Sequence, residues 1–202
     1  MHRIIFTGAQ GTGKTTVLKE FKSRGHRVIT EVVRELMKKG VKINKDGDEK
    51  GQAKIFKTYK DLLGELSVDG YISDRGLLDV TAYTMYLYQH GQVSDKFLQK
   101  QIKQLKAFKE STPDIIYCFF PIEFPVVDDG VRDMDEDFRK EIEYNILELM
   151  SIVGISPIVI TGSVEARVNK IERVYNWLNE GMALFTEHLQ DPSAETTAET
   201  TE

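Results

Sequence analysis

The sequence predicts an α/β protein built on a parallel sheet, and two observations support this prediction. Short apolar segments of strand character alternate along the chain with longer amphipathic segments, which is the pattern of parallel strands joined by helices. The 202 residues are 41% hydrophobic, enough to bury one substantial core. We therefore expect one three-layer domain over 1–186 with a five-stranded parallel sheet. The segment 187–202 is poor in large apolar residues, which predicts a disordered tail.

The alternation assigns each element in chain order. Five strands are predicted, over 3–6, 27–30, 70–73, 115–120 and 157–160. Seven helices are predicted, over 14–23, 32–39, 50–66, 77–89, 95–109, 137–152 and 164–184. Ser94, Asp95 and Ser163 are good residues for the start of a helix. The segments 40–51 and 126–138, rich in charged residues, are predicted loops.

The bulk composition limits the partners and the compartment. A net charge of -5 argues against nucleic acid as a partner. The single cysteine, Cys118, excludes an internal disulfide and fits a reducing compartment, and its apolar surroundings indicate an inert core thiol. Because neither a secretory signal nor a membrane-spanning run is visible, we expect a soluble cytoplasmic protein. The oligomeric state is left open.

The loop after the first strand carries the strongest functional signal. The letters TGAQGTGKTT (7–16) match the phosphate-binding pattern G-x-x-x-x-G-K-[ST]. In such a loop, backbone N–H groups surround phosphate oxygens, Lys14 reaches the β- and γ-phosphates, and the Thr15 hydroxyl binds Mg²⁺. ATP and Mg²⁺ are therefore the expected cofactors. The predicted nucleotide-binding residues of the loop are Gly8, Ala9, Gln10, Gly11, Thr12, Gly13, Lys14, Thr15 and Thr16.

Other motifs separate the classes of P-loop protein. A GTPase carries D-x-x-G and N-K-x-D after strands, yet the D-x-x-G at 48–51 lies in a predicted loop before a helix. An ATPase motor usually has an apolar strand that ends in Asp-Glu, whereas the strand over 115–120 is followed by Pro121. A small-molecule kinase fits the sequence better than either class.

Two acids are predicted at strand ends. Asp74, followed by Arg75, ends the third strand, and Glu31 ends the second. Because parallel strands direct their carboxyl ends to one crevice, we expect both acids near the phosphate loop. Either acid is a candidate base; Asp74 is also a candidate Mg²⁺ ligand, and Arg75 a candidate substrate contact. Arg34 either binds substrate or pairs with Glu31.

Two further groups of candidates follow the strand ends. Arg132 lies in the acidic loop after the fourth strand, where a lid would close over the phosphates, and Arg139 is a weaker candidate for the same role. In the helix after Arg75, the side chains of Asp79, Tyr83, Tyr86 and His90 recur at helical spacing. Such a face stacks a planar ring or holds hydroxyl groups, although aromatic residues at this spacing more often pack in a core.

In combination, GAQGTGKTT, TEVVRE, DRGLLDVTAY, DDGVR and ITGSVEARV resemble the P-loop family that contains the nicotinamide-riboside kinase domain of NadR-type proteins and its AAA-like relatives. The resemblance covers residues 4–175. It implies a kinase-like fold with a lid that supplies Arg132, and ATP and Mg²⁺ at the loop. It further implies that 161–168, with Arg167, lies near the adenine. The resemblance also implies that four residues face the acceptor site: Glu31, Asp74, Arg75 and Asp79. Tyr83 is a further predicted substrate contact.

These observations predict a kinase that moves the γ-phosphate of ATP to a nucleoside-like hydroxyl, with nicotinamide riboside or another nucleoside as acceptor. Lys14, Glu31, Asp74 and Arg132 are its predicted catalytic residues. A nucleoside monophosphate or the 5′-hydroxyl of a nucleic acid remains open as the acceptor, and the monophosphate would require Arg34 and Arg75 as cations. From a different class, the loop could serve a non-catalytic ATP- or GTP-binding switch.

Overall fold

The computed structural model describes residues 2–65, 70–125 and 135–190, and in the last of these ranges the side chains as far as Trp177. Its strands are β1 (Arg3–Thr7), β2 (Val28–Ile29), β3 (Tyr71–Asp74), β4 (Ile115–Phe119) and β5 (Ile158–Val159). Its α-helices are α1 (Lys14–Ser23), α2 (Val32–Lys38), α3 (Glu49–Glu65), α4 (Leu77–Gln89), α5 (Asp95–Ser111), α6 (Glu136–Val153) and α7 (Val164–Gln190). A 3₁₀ turn covers Asn44–Asp46.

As the sequence predicts, the five strands form one parallel sheet, and the structure shows their order to be β2-β3-β1-β4-β5. β1 lies at the centre and all of its residues are buried, which accounts for the apolar run Ile4-Ile5-Phe6. In the register of the sheet, Phe6 pairs with Asp74 of β3, and Thr7 pairs with Phe119 of β4. The loop after β1 therefore begins beside the ends of both neighbouring strands.

Helices cover both faces of the sheet, which gives the predicted three layers. Alternate side chains of β1 point to opposite faces: Ile4 and Phe6 belong to a cluster with α1 and α7, whereas Ile5 belongs to the larger cluster with α3 to α6. Within that larger cluster, α4 contacts α3, α5 and α6. This central position explains why α4 is the most continuously buried helix.

The observed elements differ from the prediction mainly at their ends. The edge strands β2 and β5 are shorter than predicted, because each pairs with a neighbour on one side only. Part of the predicted loop over 40–51 is ordered into the 3₁₀ turn and the start of α3. α7 continues to Gln190, past the predicted domain boundary at 186, and the next proline, Pro192, is the first strong stop signal. No helix in the described ranges is long and apolar enough to cross a membrane.

Candidate active site

The loop between β1 and α1 has a backbone that only glycine tolerates at its first position. Gly8 has a φ of 143°, which is outside the range open to other residues. A Cβ atom on Gly8 would lie 2.3 Å from the carbonyl oxygen of Phe120. The loop therefore passes directly against the end of β4, and its glycines are needed for that approach.

The charge of Lys14 is held inside this loop. The side chain is buried, and Nζ donates hydrogen bonds to the carbonyl oxygens of Gly8 (2.8 Å) and Ala9 (2.6 Å). Nζ also lies 3.1 Å from the Thr12 hydroxyl oxygen. Because Lys14 is the first residue of α1, the charge of its ammonium group adds to the partial positive charge at the N-terminal end of the helix. This arrangement is an anion site built for phosphate.

Thr15 and Asp74 meet across the sheet. The Thr15 hydroxyl donates to Asp74 Oδ2 at 2.8 Å, a contact that follows from the pairing of β1 with β3. Asp74 Oδ1 is buried and has no hydrogen-bond partner among the described residues. Hydroxyl and carboxylate oxygens are ligands that Mg²⁺ prefers, and Mg²⁺ commonly takes only one or two of them from the protein. The pair fits that ion, and the described ranges contain no larger cluster of metal-binding side chains.

Glu31 and Arg34 form an ion pair at the mouth of the pocket. Arg34 Nε lies 3.3 Å from Glu31 Oε2, and their side chains are 40% and 45% exposed. Glu31 caps α2 with a φ of 63°, a left-handed conformation that costs about 1–3 kcal/mol in a non-glycine residue. The fold thus retains a strained backbone that places this carboxylate beside the phosphate loop. Of the two roles predicted for Arg34, the structure shows the pairing with Glu31.

Arg75 and Tyr83 form a second pair on the wall of the same pocket. Arg75 also has a left-handed backbone, with a φ of 80°. Its Nη1 donates to the Tyr83 hydroxyl at 3.3 Å, and its guanidinium carbon lies 5.2 Å from the centre of the Tyr83 ring. Tyr83 and the buried Tyr86 both pack edge-on against Phe138. Of the three tyrosines of α4, Tyr83, Tyr86 and Tyr88, only Tyr83 lines the pocket.

Asp79 joins the phosphate loop to the start of α4. Its carboxylate is fully buried and accepts backbone hydrogen bonds from Gly8 and Gly76, each at 3.2 Å. Burial raises the pKa of Asp79, against the opposing effect of the positive charges on Arg75 and Lys14. Both carboxylate oxygens are thus engaged with backbone, although the residue borders the pocket. This geometry favours a role in holding Gly8 over direct contact with an acceptor.

The remaining predicted residues contact the backbone of the loop or lie outside the described ranges. Arg132 falls in 126–134, which the structure does not describe. Arg167 is 2% exposed, and its Nη1 donates to the Thr12 carbonyl oxygen at 2.6 Å. Arg139, interpreted above as a weaker lid candidate, is instead completely buried in α6 and donates to the Gln10 carbonyl oxygen at 3.0 Å.

Eight pocket residues were not predicted from the sequence, and three of them, Asn44, Gln52 and Tyr59, carry polar groups. Gln52 is buried, and its amide oxygen accepts from the Thr84 hydroxyl at 3.2 Å. The Tyr59 hydroxyl donates to the Asp74 carbonyl oxygen at 3.1 Å. Asn44 falls in the predicted loop over 40–51, whereas Gln52 and Tyr59 fall in the predicted helix over 50–66, and neither segment was predicted to reach the site. Asn44 has a φ of 54°, and no sequence pattern identifies this conformation.

One continuous pocket joins these groups. Its polar wall contains the phosphate loop from Gln10 to Thr16, Glu31, Arg34, Asp74 and Arg75. Its apolar wall contains Val32, Val33, Ile43, Ile55, Tyr59, Val80 and Tyr83. The same space therefore offers a phosphate site, two carboxylates and a surface suited to a planar ring.

The fold and the loop define a P-loop nucleotide-binding protein of the nucleoside-kinase type of fold. The sequence matches the model of a family described as an AAA domain over residues 3–167. The chain belongs to that family. Among curated proteins, no match is found.

Solved structures with the same fold are similar to this chain at low sequence identity. NadR protein in complex with NR is 17% identical with a TM-score of 0.65, and the match covers 87% of this chain and 51% of that one. Deoxyadenosine kinase from M. mycoides with bound dATP is 16% identical with a TM-score of 0.64, and the match covers 87% of this chain and 100% of that one. This chain thus spans about half of the NadR protein and the full length of the deoxyadenosine kinase.

Proposed function

We propose that this protein is an ATP-dependent kinase that transfers the γ-phosphoryl group to a hydroxyl of a nucleoside-like acceptor. The observation that carries the proposal is the single pocket in which the phosphate loop, the Thr15–Asp74 pair and Glu31 face an apolar wall with Tyr83. A switch protein requires the phosphate site alone. A second wall suited to a planar ring favours a protein that binds a second substrate.

On the donor side, Lys14 neutralises charge on the β- and γ-phosphates, and the amides of the loop donate to their oxygens. Thr15 and Asp74 would hold Mg²⁺. When bound, this ion withdraws charge from the phosphates. These groups act through position and electrostatics, which is what phosphoryl transfer requires, since the bond changes need little covalent help from the protein.

The two carboxylates take different roles in this proposal. Asp74 is engaged with Thr15, on the metal side of the pocket. Glu31 lies at the mouth of the pocket with a 45% exposed side chain, within reach of an incoming hydroxyl. Glu31 therefore accepts the proton as the acceptor oxygen bonds to the γ-phosphorus and the bond from that phosphorus to the β–γ bridging oxygen breaks. ADP and the phosphorylated acceptor are the products.

The lining favours a nucleoside as the acceptor. Tyr83 and the aliphatic wall suit the faces of a planar base, while the amides of Asn44 and Gln52 suit hydrogen bonds along its edge. A nucleoside monophosphate would need cations for its own phosphate, yet Arg34 is paired with Glu31 and Arg75 contacts Tyr83. The similar folds of NadR in complex with NR and of deoxyadenosine kinase support the same class of acceptor. Nicotinamide riboside is one member of that class.

The test is Mg²⁺-dependent ATP consumption with nucleosides, nucleoside monophosphates and short oligonucleotides as acceptors. Lys14→Ala removes the ammonium group from the loop, and Lys19→Ala is the matched control, because Lys19 is exposed on the same helix. We expect a nucleoside to stimulate turnover in the wild type and in Lys19→Ala but not in Lys14→Ala. Tight ATP binding without stimulation of turnover by any acceptor would favour the non-catalytic switch. Stimulation of turnover by nucleoside monophosphates alone would identify a monophosphate as the acceptor.

A further inference from the structure

Two buried arginines donate hydrogen bonds to backbone carbonyl groups of the phosphate loop. Arg139 Nε donates to the carbonyl oxygen of Gln10 at 3.0 Å, and Arg167 Nη1 donates to that of Thr12 at 2.6 Å. Arg139 is 0% exposed and Arg167 is 2% exposed. Neither arginine is among the residues that line the pocket.

These contacts determine the direction of two amide groups. In a trans peptide, the C=O and the following N–H point in opposite directions within one plane. With the Gln10 carbonyl directed to Arg139, the N–H of Gly11 points away from that arginine. With the Thr12 carbonyl directed to Arg167, the same holds for the N–H of Gly13. Gly11 and Gly13 line the pocket, so both N–H groups are available there to an anion.

Each arginine is itself fixed by other contacts. Arg139 Nη1 donates to both carboxylate oxygens of Glu136, at 2.6 and 2.7 Å, and its Nη2 donates to the Phe124 carbonyl oxygen at 3.2 Å. Arg167 pairs with the Glu123 carboxylate and donates to the Gly162 carbonyl oxygen at 2.8 Å. Such multidentate anchoring by a rigid planar group is specific to arginine and is not reproduced by lysine.

The guanidinium of Arg167 also has little room for a base. Its carbon lies 4.9 Å from the centre of the Phe124 ring and 5.6 Å from that of Phe120. A Cβ atom on Gly13 would lie 2.7 Å from its Nη1. The side chain is thus enclosed by two aromatic rings and by the loop that it contacts.

We propose that Arg139 and Arg167 are positioning residues that orient the amides of the phosphate loop before a nucleotide binds, and that they contribute to recognition of the phosphates rather than of the base. A loop held in its binding conformation loses less entropy when the phosphates arrive. The inference rests on the proposed function in that it takes a nucleoside triphosphate as the ligand of the loop.

The test compares ATP with inorganic tripolyphosphate, each as a competitor of a fluorescent ATP analogue. Arg139→Lys and Arg167→Lys keep the charge but lose the multidentate geometry. We expect each variant to bind ATP and tripolyphosphate more weakly by the same factor. This factor is about 10-fold or more, as for the loss of a hydrogen bond from a charged group. Lys140→Met and Arg173→Met, changes to exposed cations on the same two helices, should leave both affinities unchanged.

Glu123→Gln is a milder variant that keeps Arg167 and removes the charge of its carboxylate partner. We expect this variant to lose less affinity than Arg167→Lys, and to lose it equally for ATP and tripolyphosphate. Thermal unfolding of each ligand-free variant verifies that binding is measured on folded protein. Weaker binding of ATP by the Arg167 variant, with unchanged binding of tripolyphosphate, would overturn the inference, because Arg167 would then contact the base. Unchanged affinity for both ligands, with lower thermal stability, would reduce the arginines to a structural role.

The experiment separates the inference from the proposed function. It measures binding and needs no acceptor, so it gives a result whether or not phosphate is transferred. A wild-type protein that binds neither ligand would refute the proposed function. A wild-type protein that binds both, with variants that bind both equally well, would refute the role of the arginines.

Discussion

Replacing Gly13 by alanine should destabilise the protein more than the same replacement at Gly25. Both glycines have a φ of 86°, so a new side chain meets the same backbone strain at each position. Their surroundings differ, because a Cβ atom on Gly13 would lie 2.7 Å from Arg167 Nη1, whereas a Cβ atom on Gly25 has no neighbour within 4 Å. Gly25→Ala is therefore a matched control for the contact with Arg167.

The magnitude follows from two contributions. A left-handed alanine costs about 1–2 kcal/mol, and its lower entropy in the unfolded chain offsets about 0.4–1 kcal/mol. This leaves a net destabilisation of about 1 kcal/mol at Gly25. At Gly13 the guanidinium must also move off the Thr12 carbonyl oxygen, and losing a hydrogen bond to a charged group costs about 1.5–3 kcal/mol more.

Urea unfolding of the ligand-free variants measures this difference. We expect the free energy of unfolding of Gly13→Ala to lie about 1.5–3 kcal/mol below that of Gly25→Ala. The same Gly13 variant should bind tripolyphosphate more weakly than the wild type, while Gly25→Ala should not. Equal destabilisation by the two replacements would refute the reasoning, since it would mean that the contact with Arg167 contributes nothing to the stability of the loop.

Three further predictions concern the carboxylates. Asp74→Asn should raise the Mg²⁺ concentration needed for half-maximal turnover, because the amide replaces one negative ligand; an unchanged Mg²⁺ titration would contradict this role. Glu31→Gln should lower kcat about 10²- to 10⁴-fold, as expected for loss of a general base, with the affinity for ATP retained; steady-state kinetics and the competition assay measure the two, and full activity would exclude Glu31 as the base. The raised pKa of Asp79 means that the folded state binds the proton of this carboxyl more tightly than the unfolded state does. The contribution of Asp79 to the free energy of unfolding therefore becomes more favourable as the pH falls from 7 through the folded-state pKa. It levels off below the ordinary pKa of 3.8. The free energy of unfolding of the wild type should therefore gain on that of Asp79→Asn between pH 7 and pH 4.5, and parallel pH curves for the two proteins would argue against this linkage.

The order of the elements and the position of the phosphate loop could be predicted from the sequence because both are local properties. Hydrophobic periodicity acts over one element, and the pattern from Gly8 to Thr15 is contiguous. The predicted bounds of α1 and α4 agree with the structure. Asp74 could be placed near Thr15 by one general rule, that parallel strands direct their carboxyl ends to the same edge of the sheet.

Contacts between residues far apart in the sequence were decided by the tertiary structure alone. Arg139 reaches Gln10 across 129 positions, and Arg167 reaches Thr12 across 155. No periodic pattern encodes such a pairing, because it depends on how α6 and α7 pack around the loop. The same limit explains why Gln52 was missed and why Asp79 was predicted to face the acceptor, although its carboxylate binds the backbone of Gly8 and Gly76. The sequence by itself determined which chemistry lies at the end of β1, whereas the packing of distant helices decided which side chains line the pocket and which bind the backbone of the loop.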